Sequence, residues 1–283
     1  MEQKYIIENK KSFNSIHIFE CGQCFRWNKQ EDGSYVGIVR KNVLKVEEKE
    51  YNVIITGNCE ENIKDLCEDY FSLKEDYEKV KRDLAKIDDN LKTSIKFGEG
   101  IRILHQDLWE TLISFIISAN NNIPRIKGII ERISKKYGKK ITFEGKDYYT
   151  FPTPEELSKA TVEDLRNLGL GFRDVRVYET TKKVCTKEID LEKIKEEKNI
   201  EKIEEELLSL PGVGPKVADC IMLFALKKYQ VFPIDVWVKR VMSELYFENK
   251  EQKPQKIKDF VKEYYGEKAG LAQQYLFYWR REL

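Results

Sequence analysis

Histidine is almost missing from this chain: of 283 residues, only His17 and His105 carry an imidazole. Cysteine is sparse too, and Cys21, Cys24, Cys59, Cys67, Cys185 and Cys220 are scattered. Cys21-Gly-Gln-Cys24 has the spacing of a metal knuckle, but no second Cys or His pair stands at ligand distance, so a structural zinc site is not expected. There is no excess of either charge. Lys and Arg total 50 against 49 Asp and Glu, a formal net charge of +1, and any phosphate-binding face has to be built locally. No apolar run approaches the roughly 18 residues of a membrane helix, and the first eleven residues, MEQKYIIENKK, lack the apolar stretch of a secretory leader. The expectation is a soluble, intracellular chain with reduced thiols.

What is present is enough for a core. Charged residues reach 35%, yet aromatics at 12% argue against disorder, and the length leans toward two domains. Residues 34–40, 42–48 and 51–56 alternate as short strands, with Asp32-Gly33 as a hairpin signal. From about Glu60 the spacing turns helical and stays so, with Gly98-Glu-Gly100 as punctuation. The pattern divides the chain into a β-rich domain over 1–97 and a helical domain over 98–283, an α+β fold. Thr153-Pro154 with Glu156 reads as a capped helix start, and Thr161 with Asp164 repeats it. The charge-dense stretch 187–206 reads as a solvated helix face plus loop.

The most informative stretch is Leu210-Pro211-Gly212-Val213-Gly214-Pro215-Lys216-Val217-Ala218-Asp219-Cys220. Pro211 presets a turn, Gly212 permits a positive φ, and Pro215 fits the first turn of a following helix. Two helices joined this tightly expose backbone N–H groups at a helix N-terminus, which with the helix dipole form a phosphate site. A P-loop is excluded, because its lysine is followed by Ser or Thr and its glycines are spaced differently. An ordinary helix–helix turn is the plain alternative, and the full Leu-Pro-Gly-Val-Gly order is more specific than that. Lys216 falls in the first turn, with Cys220 on the same face at i+4. An exposed lysine and a small buried thiol would be the ordinary roles there. Downstream, Phe232-Pro233-Ile234-Asp235-Val236-Trp237 places Asp235 as the N-cap of an amphipathic helix, whatever else it does.

A helix–hairpin–helix with Lys216, then a Pro-containing loop ending in Asp235, resembles the helix–hairpin–helix–GPD superfamily of DNA glycosylases. Within it the chain resembles the 8-oxoguanine DNA glycosylase family. The resemblance runs in the family's order through Cys21-Gly22-Gln23-Cys24-Phe25-Arg26-Trp27, Ser118-Ala119-Asn120-Asn121-Asn122-Ile123 and Leu168-Gly169-Leu170-Gly171-Phe172-Arg173. It continues through the hairpin to Ala269-Gly270-Leu271-Ala272-Gln273 and Phe277, covering nearly the whole chain. Singly, these motifs would be a turn, helix caps and one face of a terminal helix. The resemblance implies a small antiparallel-sheet N-terminal domain like that of TATA-binding protein, followed by a helical glycosylase domain.

It also implies roles. Lys216 is the nucleophile, and Asp235 stabilises the cationic sugar. A base must leave the duplex to be cut out. Gln273 then meets its Watson–Crick edge, Phe277 and Cys220 its two faces, and the Gly22 carbonyl the N7–H that distinguishes 8-oxoguanine from guanine. Asn120 fills the gap in the helix, Arg125 and Arg173 read the widowed cytosine, and Phe172 is the wedge. Gly212, Val213, Gly214 and Trp237 hold DNA phosphate. The carbonyls of Leu208, Leu210 and Val213 hold a structural monovalent or divalent cation, and no catalytic cofactor is required. Phe172 stands where the family commonly has Tyr, and Trp237 where it often has His. Iron–sulfur relatives are excluded, because no Cys follows Cys220. The rival readings are an alkylated-purine glycosylase of the same superfamily, which lacks the lysine and works by hydrolysis, and a hairpin module that only binds DNA, which leaves Asp235, Gln273 and Phe277 without a role. The expectation is a monomeric glycosylase/AP lyase acting on double-stranded DNA that contains 8-oxoguanine, with no membrane association, cytoplasmic and with the nucleoid.

Overall fold

The computed structural model describes residues 2–8 and 10–283. Its main sheet has five antiparallel strands in the order Glu2–Ile7, Val53–Asn58, Asn42–Glu48, Tyr35–Val39 and Trp27–Lys29. The expected strands at 34–40 and 42–48 are present within a residue at each end, and the third is shifted to Val53–Asn58. The Asp32-Gly33 turn forms with Gly33 at φ +81°, and the Asp32 carboxylate accepts from Ser34 N at 3.0 Å. One face of the sheet is packed with Phe13, Phe19, Trp27, Tyr70 and Phe71, Trp27 stacking on Phe19 at 4.0 Å. The indole lies so flat on Gly37 that a Cβ there would come within 2.4 Å of the ring, so only glycine fits.

The opposite face is covered by a second hairpin, Lys140–Phe143 paired with Lys146–Tyr149, whose Phe143 packs on Val36, Ile38 and Val43. This corrects the expectation of unbroken helix after Glu60. Strands of four residues give too short an alternation to stand out from their charged surroundings. Both capping boxes, at Thr153 with Glu156 and at Thr161 with Asp164, are formed. The charged stretch 187–206 folds into helices Leu191–Glu196 and Ile200–Leu208, anchored by buried Ile194, Ile203 and Leu207.

The larger core runs through the helical part, where Leu112, Ile116, Ile129, Ile221, Leu223 and Tyr275 are all sealed from solvent. Tyr77, Leu84, Leu91 and Ile95, which the change of period places with the sheet, belong to this core. Helix Asp89–Phe97 lies against the C-terminal helix Ala269–Arg281. Segment 101–107 fastens the two cores together. Gln23 Nε2 donates to the carbonyls of Ile18 at 2.9 Å and Arg102 at 2.8 Å, and Gln23 Oε1 accepts from Leu104 N at 2.8 Å. Arg102 is buried and donates to the carbonyls of Phe71, Ser12 and Ser72. Among the described residues, no helix is long and apolar enough to cross a membrane.

Candidate active site

Helices Ile200–Leu208 and Pro215–Ala225 are joined by the glycine hairpin. Gly212 has φ +86°, and a Cβ on it would fall 2.8 Å from Arg176 Cδ, so both backbone conformation and close packing require glycine. Val213 N donates to Leu210 O at 3.1 Å and closes the turn. Helix Pro215–Ala225 has Gly214 at its N-cap and no side-chain cap bond, whereas Asp107, Asn122, Asn199 and Asp235 cap their helices. Its first-turn amides and positive dipole end are therefore open to an anion.

Lys216 is half-buried on that first turn, with Nζ 5.2 Å from the centroid of the Phe115 ring, a cation–π contact. One turn on, burial pushes the Cys220 thiol up to about 11, while Lys216 acts against the rise. Cys220 is thus a neutral packing surface and not a thiolate. Asp235 caps helix Val236–Tyr246 by accepting from Val238 N at 2.7 Å, and its charge contributes to the rise at Cys220. Lys216 and Asp235 thus act in opposite senses on the same buried thiol.

The base-contacting candidates come from distant parts of the chain. Gly22 sits in a turn at φ +89°, and a Cβ built there would lie 3.6 Å from the Phe277 ring. Gln273, one turn before Phe277 on the C-terminal helix, is buried, and its Oε1 accepts from Gln274 Nε2 at 2.6 Å. The thiols of Cys21 and Cys24 donate to the carbonyls of Ile18 at 3.4 Å and Phe19 at 3.7 Å.

A rim of cationic and aromatic groups stands apart from these. Asn120 is exposed at φ +49°, a conformation asparagine tolerates better than most residues. The resemblance places Arg173 at the widowed cytosine. Here its guanidinium is buried and donates to the carbonyls of Ala119 at 2.6 Å, Asn120 at 2.7 Å and Leu170 at 3.1 Å, bracing the Asn120 turn. Arg125 stays exposed, with Nη2 3.4 Å from Gly169 O. Phe172 is 55% exposed, with the guanidinium carbons of Arg173 and Arg176 at 4.2 and 5.2 Å from its centroid. Trp237 is exposed beside Val236 on the helix that Asp235 caps. Sequence reasoning missed Arg176, although its i+4 spacing from Phe172 was a usable signal. It also missed Phe115, which nothing in the sequence ties to Lys216.

A small sheet braced against a helical domain, with an uncapped hairpin helix leading from a lysine toward an aspartate-capped neighbour, defines a helix–hairpin–helix protein of base-excision repair. The model of the 8-oxoguanine DNA glycosylase N-terminal domain matches residues 5–112, and that of the HhH-GPD superfamily of base excision DNA repair proteins matches residues 113–267. The chain belongs to the 8-oxoguanine DNA glycosylase family within that superfamily. It is 35% identical to an N-glycosylase/DNA lyase of Saccharomyces cerevisiae over 84% of this chain and 69% of that protein. It is 46% identical to the 8-oxoguanine glycosylase/lyase of Clostridium acetobutylicum in its apo form, with a TM-score of 0.92 over 98% of this chain and 97% of that one. With the same protein bound to double-stranded DNA containing cytosine opposite 8-oxoguanine, the TM-score is 0.94 at 45% identity, over 100% and 98% of the two chains.

Proposed function

We propose that this chain excises 8-oxoguanine from double-stranded DNA and then nicks the strand, with Lys216 as nucleophile. The observation that carries the reading is the seat of Lys216: first turn of an uncapped helix, over Phe115 and one turn from the buried, neutral Cys220. An anionic strand held at the hairpin amides would bring a sugar toward Nζ. The neutral amine bonds to C1′, and the base leaves with the electron pair of the glycosidic bond. Nζ then gives up one proton and the C1′–O4′ bond breaks with O4′ taking up a proton, leaving a protonated Schiff base between Nζ and C1′. Loss of a C2′ proton then expels the 3′ phosphate and nicks the strand. The Asp235 carboxylate, fixed by its cap bond, stabilises the cationic sugar on the way.

Gly22, Phe277, Gln273 and Cys220 form the base-contacting set in this reading. Asn120, Arg125 and Phe172 face the gap and the opposite cytosine, whose unpaired O2 and N3 accept from the Arg125 guanidinium where adenine presents an amino group, while buried Arg173 braces the Asn120 turn behind them. Gly212, Val213, Gly214 and Trp237 contact phosphate. The hairpin also fits a structural cation, since among the described residues no backbone N–H donates to the carbonyls of Leu208 or Val213. The ion would stiffen the phosphate site and take no part in the chemistry. The test is single-turnover incubation with duplexes carrying 8-oxoguanine opposite each of the four bases. Base release with strand cleavage, fastest opposite cytosine, is expected. Tight binding to all four duplexes without base release would overturn the reading.

A further inference from the structure

Gln273, Phe277 and Arg281 follow one another at i, i+4 and i+8 along helix Ala269–Arg281 and so share one face. The first two belong to the base-contacting set; no role has been given to the third. Arg281 Nη2 donates to the carbonyl of Glu20, two residues before Gly22. Its guanidinium carbon lies 5.6 Å from the centroids of both Phe277 and Tyr278, and Nε and Nη2 are oriented by Glu282 Oε1 at 2.9 and 2.7 Å. Nη1 is buried, has no hydrogen-bond partner among the described residues, and lies 3.4 Å from where a Cβ of Gly22 would stand. A buried donor left unpaired costs free energy, so the guanidinium is held here by its other contacts.

We infer that Arg281 is a positioning residue of the base pocket, locking the Gly22 turn to Phe277. The inference rests on the excision reading above. The turn is anchored at both ends. Gln23 ties one end to the seam at Arg102 and Leu104, and Arg281 ties the other, at Glu20, to the helix that carries Phe277. The Gly22 carbonyl distinguishes N7–H from a bare N7 only if it stays at hydrogen-bond distance from a base stacked on Phe277. Those two walls come from opposite ends of the chain, and Arg281 is the polar link between them. Because Lys216 lies on another helix, Arg281 governs placement of the base and not the chemistry of the sugar.

The two readouts separate these effects. Arg281→Leu removes the donors, and single-turnover release of 8-oxoguanine opposite cytosine should fall about tenfold or more, as for loss of a charge-assisted hydrogen bond. Cleavage of a duplex with a preformed abasic site, where no base enters the pocket, should stay within about twofold of wild type. Arg281→Lys keeps the charge but not the planar fork, and should recover base release only in part. Gly22→Ala combined with Arg281→Leu should be no slower than the worse single variant, since both act on one turn. Equal losses on the two substrates would show a merely structural role, and unchanged base release in Arg281→Leu would also overturn the inference. A wild-type protein inactive on both duplexes would instead remove the underlying excision reading.

Discussion

Arg102 and Arg173 each lie 4.2 Å from the centroid of an aromatic ring, Tyr77 and Phe172 respectively, and each is buried with its guanidinium bonded to backbone carbonyls. The rings differ. Tyr77 is 2% exposed, and its hydroxyl accepts from Ile103 N at 2.7 Å, whereas Phe172 is 55% exposed. At the seam between the cores, cation and ring are both used up by folding. At the rim the cation braces the Asn120 turn, and the ring's surface is left to solvent. Leaving a phenylalanine ring out of a core forgoes about 1.5–3 kcal/mol. In the proposed function this exposed ring, between Arg173 and Arg176, is the wedge, and a stack of bases would complete its contacts.

The largest effect should come from the closed cluster. Arg102→Ala strips donors from the buried carbonyls of Phe71, Ser12 and Ser72 and should destabilise the fold by about 3–5 kcal/mol in urea titrations. Excision should fall only as the unfolded fraction grows. A second closed cluster joins Arg26 Nε to Glu110 at 3.8 Å. Burial pushes the Glu110 carboxyl up to about 7, with Arg26 opposing. A carboxyl with a raised folded pKa takes up a proton on folding. Its contribution is therefore complete below the unfolded pKa near ~4.3 and lost as pH rises through about 7. Glu110→Gln should flatten the fall in stability between pH 5 and 8, by about 2–3 kcal/mol over that window. An unchanged slope would remove the attribution.

The open cluster should behave in reverse. Phe172→Ala should leave stability within about 0.5 kcal/mol and slow excision about tenfold, near ~1.4 kcal/mol in the barrier. If it destabilised the fold as Arg102→Ala does, the contrast between the two clusters would vanish. Arg125→Ala should reduce the cytosine-over-adenine rate ratio by about 1 kcal/mol, the low end for one base-reading pair. Parallel losses on all four opposite-base duplexes would leave Arg125 as a backbone clamp.

The same contrast marks what could be read from the residues. Local signals held. Strand Asn42–Glu48, the Asp32-Gly33 turn, both capping boxes and the cap at Asp235 depend on near neighbours. The hairpin was legible for the same reason. Burial of charge was not. Arg26, Arg102 and Arg173 are buried through carbonyls or carboxylates far along the chain, and an arginine reads as surface until its partners are known. Helices Tyr77–Leu84 and Asp89–Phe97 joined the larger core through long-range packing. The links from Lys216 to Phe115 and from Gly22 to Arg281 likewise exist only in three dimensions.

Borohydride reduction in the presence of a duplex carrying 8-oxoguanine opposite cytosine tests the role of Lys216 most directly, because it captures a Schiff base as a stable bond. Wild-type protein should become covalently attached to the damaged strand. Lys216→Gln should bind the duplex nearly as well and give neither adduct nor base release. A trapped adduct from Lys216→Gln at wild-type yield would place the nucleophile on another amine and contradict the mechanism.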